Sequence, residues 1–286
     1  MKAQAPALVL LVVSLCFSSP LAAQQRPLRT PDAEILPPGT LRVQVGFDFL
    51  QDVSFPLAGL GGDQTSIGII GVRLGVGRMI EVQLEGAVRH FLDVKQQVGS
   101  FVTPVLTGAR STNDAGDFSF LTKIRILGET EKRPSLAVRF GFQMPNSNQV
   151  RGIGTNTSDL FAGIILQKHI RKLNVWGQVG LAILQSPVAN FTQNDALTYG
   201  GAFVYPLHER LNLVGEVAGR QSTRNESANL LGTESRAQGR LGIQLFAGGF
   251  QWDFAGLAGL HRNDPKTGFT FGVTRDFRLF DYDKIK

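Results

Sequence analysis

The chain has 286 residues, of which 43% are hydrophobic, only 18% are charged and 33 are glycine. This composition excludes an intrinsically disordered chain and a coiled coil. The formal net charge is +6, but Lys and Arg are scattered among carboxylates, so no nucleic-acid partner is expected. The chain has one cysteine, which excludes a disulfide framework and a cysteine-based zinc site, and no motif predicts a cofactor or a metal.

Residues 1–23 are predicted to be a cleavable signal peptide. Lys2 supplies a positive start, and residues 7–17 (ALVLLVVSLCF) form an apolar stretch that is too short to span a bilayer. Small residues follow up to Ala23, where we expect cleavage. The protein is therefore expected to be exported, and its mature chain would contain no cysteine because Cys16 lies in the removed segment.

The next segment, residues 24–38, contains four prolines and shows no periodicity, so it is predicted to be irregular. From Thr40 onward the pattern changes to strict alternation of apolar and polar or small residues, which is the signal of a β-strand. Twelve segments show this pattern: 41–49, 72–76, 80–84, 118–126, 136–142, 160–167, 173–183, 197–205, 211–217, 236–245, 250–254 and 269–273.

The connections between these segments alternate in length. Short connections fall near residues 77–78, 128–134, 168–172, 206–210 and 248–249, and longer ones near 52–64, 92–116, 145–157, 185–195, 221–234 and 261–266. Short turns at one end and long loops at the other are typical of an outer-membrane barrel with both termini in the periplasm. The fold class is therefore predicted to be all-β, a transmembrane antiparallel up-and-down β-barrel of about 12 strands over residues 39–277.

A soluble β-sandwich would also alternate, but its exposed face would be more richly charged. Here the polar face mixes glycine, glutamine and charges of both signs, which suits a barrel lumen. Outer-membrane lipids are the expected partner of the apolar face, where Tyr199 and Trp252 would lie. The predicted localisation is the cell outer membrane of a Gram-negative bacterium.

The last strand carries a sequence that resembles the signal read by the barrel assembly machinery, a second expected partner. In the stretch TGFTFGV a glycine is followed, at the required spacing, by two apolar positions, and an aromatic residue comes later. The candidate signal residues are Gly268, Phe271, Val273 and Phe277. Residues 278–286 are then predicted to be a short periplasmic tail.

The order of motifs resembles that of a known family. A strand with Lys123 and Arg125 precedes a strand that ends QMPN at residues 143–146, a Gly-Thr-rich loop follows, and LNLVGE comes later at residues 211–216. The chain resembles the outer-membrane transporters associated with the meta-pathway of phenol degradation, and more loosely the fatty-acid and hydrocarbon channels. The resemblance implies a transporter of small molecules, including hydrophobic or aromatic ones.

Charged and aromatic side chains on the polar face are the candidates for lumen lining and transport. Two roles compete for each of them: either opposite charges pair and fill the interior, or they line a route and set its selectivity. Twelve strands lie between the eight that leave room for side chains only and the sixteen that leave a water channel, so we expect a narrow, partly filled lumen. The candidates are Arg42, Arg73, Glu81, Glu85, Asp117, Lys123, Arg125, Arg139, Trp176, Glu216, Arg236, Arg240 and Asp253.

Two segments could restrict the pore. The long loop 92–116 holds an apolar run, residues 98–106, that could fold into the mouth and form an apolar binding site. The Pro-rich segment 24–38 could enter the lumen from the periplasmic side.

An enzyme is the first alternative. His169 and His208 fall in predicted periplasmic turns, whereas His90 and His261 lie toward the loop end, each near an aspartate but without a convincing serine. No catalytic residue is assigned. The predicted function is a channel for passive uptake or efflux of a small-molecule substrate. The alternatives are a lipase-like or protease-like barrel, and a structural barrel with a sealed lumen.

Overall fold

The computed structural model describes residues 26–188, 193–224 and 232–281. The predicted signal peptide and residues 282–286 of the predicted tail lie outside these ranges. The described residues form thirteen β-strands and one 3-10 turn, Gln149–Arg151. The strands are β1 (Thr40–Phe55), β2 (Leu60–Gly75), β3 (Ile80–Gln97), β4 (Ser111–Asp114), β5 (Phe118–Leu127), β6 (Ser135–Met144), β7 (Leu160–Ile170), β8 (Leu173–Leu184), β9 (Asn194–His208), β10 (Leu211–Ser222), β11 (Arg236–Ala247), β12 (Phe250–Gly259) and β13 (Thr267–Arg278).

The strands pair antiparallel with their neighbours and close into a barrel. β13 returns to β1, with a register that runs from Thr40 opposite Arg278 to Gln51 opposite Thr267. β3 pairs with β5 near the short turns and with β4 near the loops, so β4 and β5 lie end to end along one side of β3. Over the described residues the wall is thus twelve strands wide, as predicted. Among these residues no helix is long and apolar enough to cross a membrane.

The polarity of the wall is reversed relative to a soluble protein. In β1 the side chains of Arg42, Gln44 and Asp48 are buried in the lumen, whereas Val45 between them is half exposed on the outside. The same inversion recurs around the barrel, as the exposure of Leu241 and Phe254 shows. An apolar exterior around a closed hydrogen-bonded wall is what a lipid bilayer requires, because no backbone group is left unpaired in hydrocarbon.

The predicted loop at residues 52–64 is wrong. β1 continues to Phe55 and β2 begins at Leu60, so only a four-residue turn separates them. The start of β2 was not recognised because a β-bulge interrupts its alternation of apolar and polar residues. The register shifts between Gly46 and Phe47 of β1, and the extra residue opposite them is Gly68 of β2, with a φ of 60°. β1, β2 and β3, of 16, 16 and 18 residues, therefore form a taller side of the wall, because the other strands have at most 15 residues.

The predicted loop at residues 92–116 is shorter than expected, because β3 runs to Gln97 and β4 occupies Ser111–Asp114. The remaining loop lies against its neighbours: Val98 N donates to Gly59 O at 2.8 Å, and Val105 N donates to Val150 O at 2.8 Å. Val98 and Val105 are more than half exposed. Leu106 of the same run packs against the buried cluster of Ala58, Leu60, Leu92 and Val94. The run is therefore partly exposed and partly packed, and a binding site inside the mouth stays a prediction.

Aromatic side chains cover the outer face where β13 closes the barrel. Phe271 lies 4.9 Å from Phe254 and 6.3 Å from Trp252, measured between ring centroids. The Arg275 guanidinium lies 4.6 Å from the Phe250 ring and 5.5 Å from that of Phe277.

Gly268 and Val273, the other two candidate assembly residues, also lie in this strand, opposite Leu50 and Val45 of β1. At Gly268 a Cβ would meet the carbonyl oxygen of Phe49, so the close approach of β1 requires glycine there. An assembly role for these positions stays a prediction.

Candidate functional site

Residues 26–38, called the plug below, lie inside the barrel. They follow the inner wall in a single turn and touch each of its twelve strands. The wall residues that make these contacts, from β1 to β13 without β4, are Asp48, Gly75, Glu81, Lys123, Ala137, Gln167, Trp176, Gly200, Glu216, Gln244, Gln251 and Thr270. Gly39, with a φ of 80°, joins the plug to β1.

At its C-terminal end the plug is held by a buried charge cluster. Lys123 Nζ lies 2.8 Å from Asp32 Oδ1 of the plug and 3.5 Å from Glu81 Oε1 of the wall. Glu81 Oε2 accepts a hydrogen bond from Leu36 N at 2.9 Å. The exposed fraction of the Lys123 side chain is 0%, so this cation is available only to its two carboxylates.

The middle of the plug is held by Glu216 and Trp176. Glu216 accepts hydrogen bonds from Arg29 N, Thr30 N and Thr30 Oγ1, all between 2.8 and 2.9 Å. Trp176 Nε1 donates to Thr30 O at 3.0 Å. Leu28 joins Trp176 in a buried apolar cluster against β9 and β10. At Gly200 a Cβ would lie 3.2 Å from the Cβ of Thr30, so the plug passes directly over this glycine.

At the start of the plug, two wall side chains donate hydrogen bonds to its backbone carbonyls. Gln244 Nε2 donates to Arg26 O at 2.7 Å, and Arg240 Nη1 donates to Pro27 O at 3.0 Å. The Arg26 guanidinium donates to Thr270 Oγ1 at 2.9 Å and lies 3.5 Å from Asp48.

Most plug residues are buried, so the plug and the side chains around it fill the periplasmic half of the lumen. Asp32 and Ala33 are fully buried, as are Leu36 and the wall residue Ile165 beside Ala33. Arg29 is the exception: 58% of its side chain is exposed. It points away from the filled half because it lines the cavity above.

Glu34 lies on the plug rather than in a membrane-spanning strand. Burial, followed by the nearby Asp32 carboxylate, raises the pKa of Glu34 to about 7. His169, whose Nε2 lies 3.9 Å from Glu34 Oε1, opposes this shift, as do Lys123 and Arg125. The plug therefore holds a carboxyl group that changes charge near neutral pH.

Above the plug lies a chamber of about 690 Å³. Its floor is formed by the plug from Arg26 to Thr30, and its upper wall includes Val53, Phe55 and Pro265. Its charged lining consists of Arg26, Arg29, Arg73, Arg220, Arg236, Arg240, Asp48, Glu85, Glu216 and Asp264. The lumen is therefore divided into a filled periplasmic half and a chamber toward the loops.

The candidate lumen residues fall into three groups. Glu81, Lys123, Trp176, Glu216 and Arg240 contact the plug, as described above. A second group pairs within the wall: Arg42 with Asp276 at 2.6 Å, Arg73 and Arg139 with Glu85 at 3.8 and 2.8 Å, and Asp253 with Gln251 at 2.7 Å.

The third group lies toward the ends of the barrel. Asp117 accepts hydrogen bonds from Asn146 N and Ser147 N, so it holds the loop between β6 and β7 instead of lining the chamber. Arg125 donates to Arg78 O in a periplasmic turn, away from any route through the lumen. Arg236 lines the chamber and donates to Ser54 O at 3.2 Å.

Sequence reasoning missed several residues of this site. Arg29 and Asp32 lie in a segment without periodicity. Asp32 pairs with Lys123, 91 positions later, and the backbone of Arg29 contacts Glu216, 187 positions later, so no local pattern predicts these contacts. Asp48 and Gln167 could have been predicted as lumen residues, because both lie in predicted strands. The polar positions of the alternation would have identified Asp48 as facing the lumen.

The structure brings a serine to one of the loop-end histidines, contrary to expectation. Ser66 Oγ lies 2.7 Å from His90 Nδ1, and Gln64 Nε2 lies 3.0 Å from the same nitrogen. A hydrolase triad places its nucleophile and its orienting group on opposite nitrogens of the imidazole ring. Here both neighbours share Nδ1, so the arrangement does not match a triad.

His261 lies in a separate groove of about 670 Å³ beside the taller side of the wall. Its backbone N donates to Asp264 Oδ2 at 3.0 Å, and the same oxygen accepts from Ala237 N at 2.7 Å. This aspartate therefore organises the loop. His169 belongs to β7 rather than to a turn, and its Nδ1 lies 2.7 Å from Glu129 Oε2. His208 likewise ends β9.

A closed wall with an apolar exterior and a polar, plugged interior defines an outer-membrane β-barrel. Solved structures of the same class resemble it. The chain aligns with the NanC porin at a TM-score of 0.48 and 8% identity, over 84% of this chain and 100% of that one. It also aligns with the KdgM porin, at a TM-score of 0.48 and 6% identity, over 82% of this chain and 99% of that one.

A third similar structure is the translocator domain of the autotransporter NalP from Neisseria meningitidis. Its TM-score is 0.46 at 12% identity, and the alignment covers 85% of this chain and 90% of that one. No protein-family model matches the sequence, and no curated protein matches it either.

Proposed function

We propose that this protein is an outer-membrane channel for the passive movement of small molecules, and that it opens when the plug leaves the periplasmic half of the lumen. The observation that carries the proposal is the way the plug is held. Apart from Thr40 N, which donates to Pro37 O at 3.0 Å in the turn that leads into β1, each hydrogen bond given above between the plug and the wall uses a side chain on at least one side. The wall itself closes through the pairing of β1 with β13. Release of the plug therefore breaks no strand pairing.

The substrate is proposed to be a small molecule with an apolar or aromatic part, as the sequence resemblance to the transporters of the phenol meta-pathway implies. The lining of the chamber is compatible with this, because Leu50, Val53 and Phe55 stand beside its charged groups. A channel is preferred to an enzyme because Ser66 and His90 lack the geometry of a catalytic triad.

A disulfide lock tests the proposal. In the double variant Thr30→Cys with Gly200→Cys the two Cβ atoms would lie 3.2 Å apart. This is a few tenths of an ångström below the roughly 3.5–4.5 Å of a disulfide, so a small shift of the irregular plug allows the bond. The expected mature chain has no other cysteine. In planar bilayers, oxidation should abolish channel openings and reduction should restore them. The Gly200→Cys single variant should not respond to either treatment.

Two other outcomes would reject the proposal. Equal conductance in the oxidised and reduced states would show that the plug does not control the pore. If the reduced protein stays silent even when Glu216→Ala is added to weaken the plug, and its wall remains folded, the sealed structural barrel is the better description.

A further inference from the structure

The chamber above the plug carries more positive than negative charge. Six arginines and four carboxylates line it. The arginines approach carboxylates only at long range: Arg26 and Arg29 lie 3.5 and 3.6 Å from Asp48, and Arg240 lies 3.7 Å from Glu216. In the filled half, by contrast, Arg42 meets Asp276 at 2.6 Å and Lys123 meets Asp32 at 2.8 Å. The guanidinium groups of the chamber are thus the less completely neutralised ones.

The carboxylates of the chamber are engaged by other donors. Glu216 accepts the backbone amides of the plug, and Glu85 binds Arg139 at 2.8 Å. Asp264 accepts the backbone N–H groups of Ala237 and His261. Each of these three carboxylates thus has a donor outside the six arginines, while Glu85 Oε1 and Asp264 Oδ1 have no hydrogen-bond partner among the described residues.

The arginines of the chamber differ in how accessible their N–H groups are to a ligand. Nε of Arg26 and Nε of Arg73 have no hydrogen-bond partner among the described residues, but both atoms are buried, so a ligand in the chamber does not reach them. Arg29 offers the most accessible guanidinium, with 58% of its side chain exposed on the floor of the chamber. A guanidinium that is exposed in a cavity and lies 3.6 Å from its nearest carboxylate, Asp48, keeps N–H donors that a ligand carboxylate can accept.

We propose that the chamber binds a small organic anion, a carboxylate with an apolar or aromatic body, and that Arg29 of the plug is one of the groups that hold its carboxylate. A volume of about 690 Å³ is that of a single small-ligand pocket. Leu50, Val53, Phe55 and Phe161 supply an apolar lining for the body of the ligand. The proposal rests on the channel function above, because it names the class of molecule that the channel would carry.

The test compares benzoate with benzamide, which has the same ring but no charge, by calorimetric titration of the folded mature protein in detergent. We expect benzoate to bind and benzamide to bind at least about tenfold more weakly, a difference of one charge-assisted contact. Arg29→Gln should weaken benzoate binding at least about fivefold, whereas Arg29→Lys, which keeps the charge, should recover most of the affinity. Arg133→Gln, in an exposed periplasmic turn, is the matched control and should bind as the wild type does.

Three results would overturn the inference: equal binding of benzoate and benzamide, unchanged affinity in Arg29→Gln, or no benzoate binding up to about 10 mM. The titration does not depend on conductance. If benzoate binds but the protein never conducts, the channel proposal fails and the anion site stands. If the disulfide lock controls conductance and no benzoate binds, only the anion site fails.

Discussion

Glu216 Oε2 accepts two hydrogen bonds from a single plug residue, Thr30, one from its backbone N and one from its Oγ1, both at 2.8 Å. Glu216 belongs to β10. The backbone N–H of Arg29, the residue before Thr30, also donates to this carboxylate. This pairing resembles the way a carboxylate binds the free N–H groups at the start of a helix, although here the donors belong to an irregular segment.

Removal of this acceptor should release the middle of the plug. Glu216→Ala leaves three donors and the Arg240 guanidinium without their carboxylate, and each hydrogen bond to a charged group contributes about 1.5–3 kcal/mol. We expect hydrogen exchange of the plug amides to accelerate at least about tenfold, with the strands of the wall unchanged. Glu209→Ala, in the exposed turn between β9 and β10, is the control. Unchanged exchange in Glu216→Ala would mean that other contacts hold the plug by themselves.

Substitution of Lys123 should lower the free energy of unfolding more than substitution of any exposed lysine. Lys123→Met leaves Asp32 and Glu81 facing each other without a cation, and breaking a buried ion pair in this way costs about 3–5 kcal/mol. We expect a clear loss of stability in urea unfolding in detergent, whereas Lys132→Met, in an exposed turn, should be nearly neutral.

A compensating change distinguishes the ion pair from simple packing. Asp32→Asn added to Lys123→Met removes one of the two stranded carboxylates and should recover part of the lost stability. Additive effects of the two substitutions would show that these residues are not coupled.

The wall of the barrel was predictable because a single physical rule decides it. Each strand separates lipid from lumen, so alternate residues such as Arg42 and Val43 must differ in polarity, and a period of two becomes visible in the sequence. The rule fails above the membrane, where outward side chains meet water. There β2 begins unrecognised at Leu60, and the bulge at Gly68 interrupts the alternation.

The plug could be suggested from sequence but its contacts could not. A Pro-rich segment before the first strand is compatible with entry into the lumen, yet its route depends on partners far along the chain. Asp32 accepts a hydrogen bond from Lys123, 91 positions later, and Ala33 N donates to Gln167, 134 positions later. These pairs exist only because the closed wall brings all strands around one axis. The contacts of the plug can therefore be predicted only once the three-dimensional arrangement of the strands is known.

Plug release should depend on pH through Glu34. Its pKa is about 7 in the docked plug, against an ordinary value of 4.5, because burial and then Asp32 disfavour its charge, while His169, Lys123 and Arg125 face it and only partly compensate. The docked state therefore holds the proton more tightly. Docking is strongest below about pH 4.5, weakens as the pH rises to about 7 and is constant above that.

Channel openings should accordingly be more frequent at pH 8 than at pH 5. Glu34→Gln, which stays neutral at every pH, should flatten this dependence in bilayer recordings, whereas Glu131→Gln, in an exposed periplasmic turn, should leave it unchanged. A dependence that persists in Glu34→Gln would assign it to another titrating group, with His169 the first to examine.

Trp176 should report the position of the plug by its fluorescence. The chain has two tryptophans, and the other, Trp252, faces outward, so Trp252→Phe leaves a single reporter. In the docked state Trp176 is 5% exposed, packs against Leu28 and donates to Thr30 O at 3.0 Å. Addition of Glu216→Ala should shift its emission to the red and increase quenching by acrylamide severalfold, because water replaces the plug around the indole. The oxidised Thr30→Cys with Gly200→Cys lock, placed in the same background, should prevent both changes. If the emission shifts even in the locked protein, Trp176 responds to the wall and not to the plug.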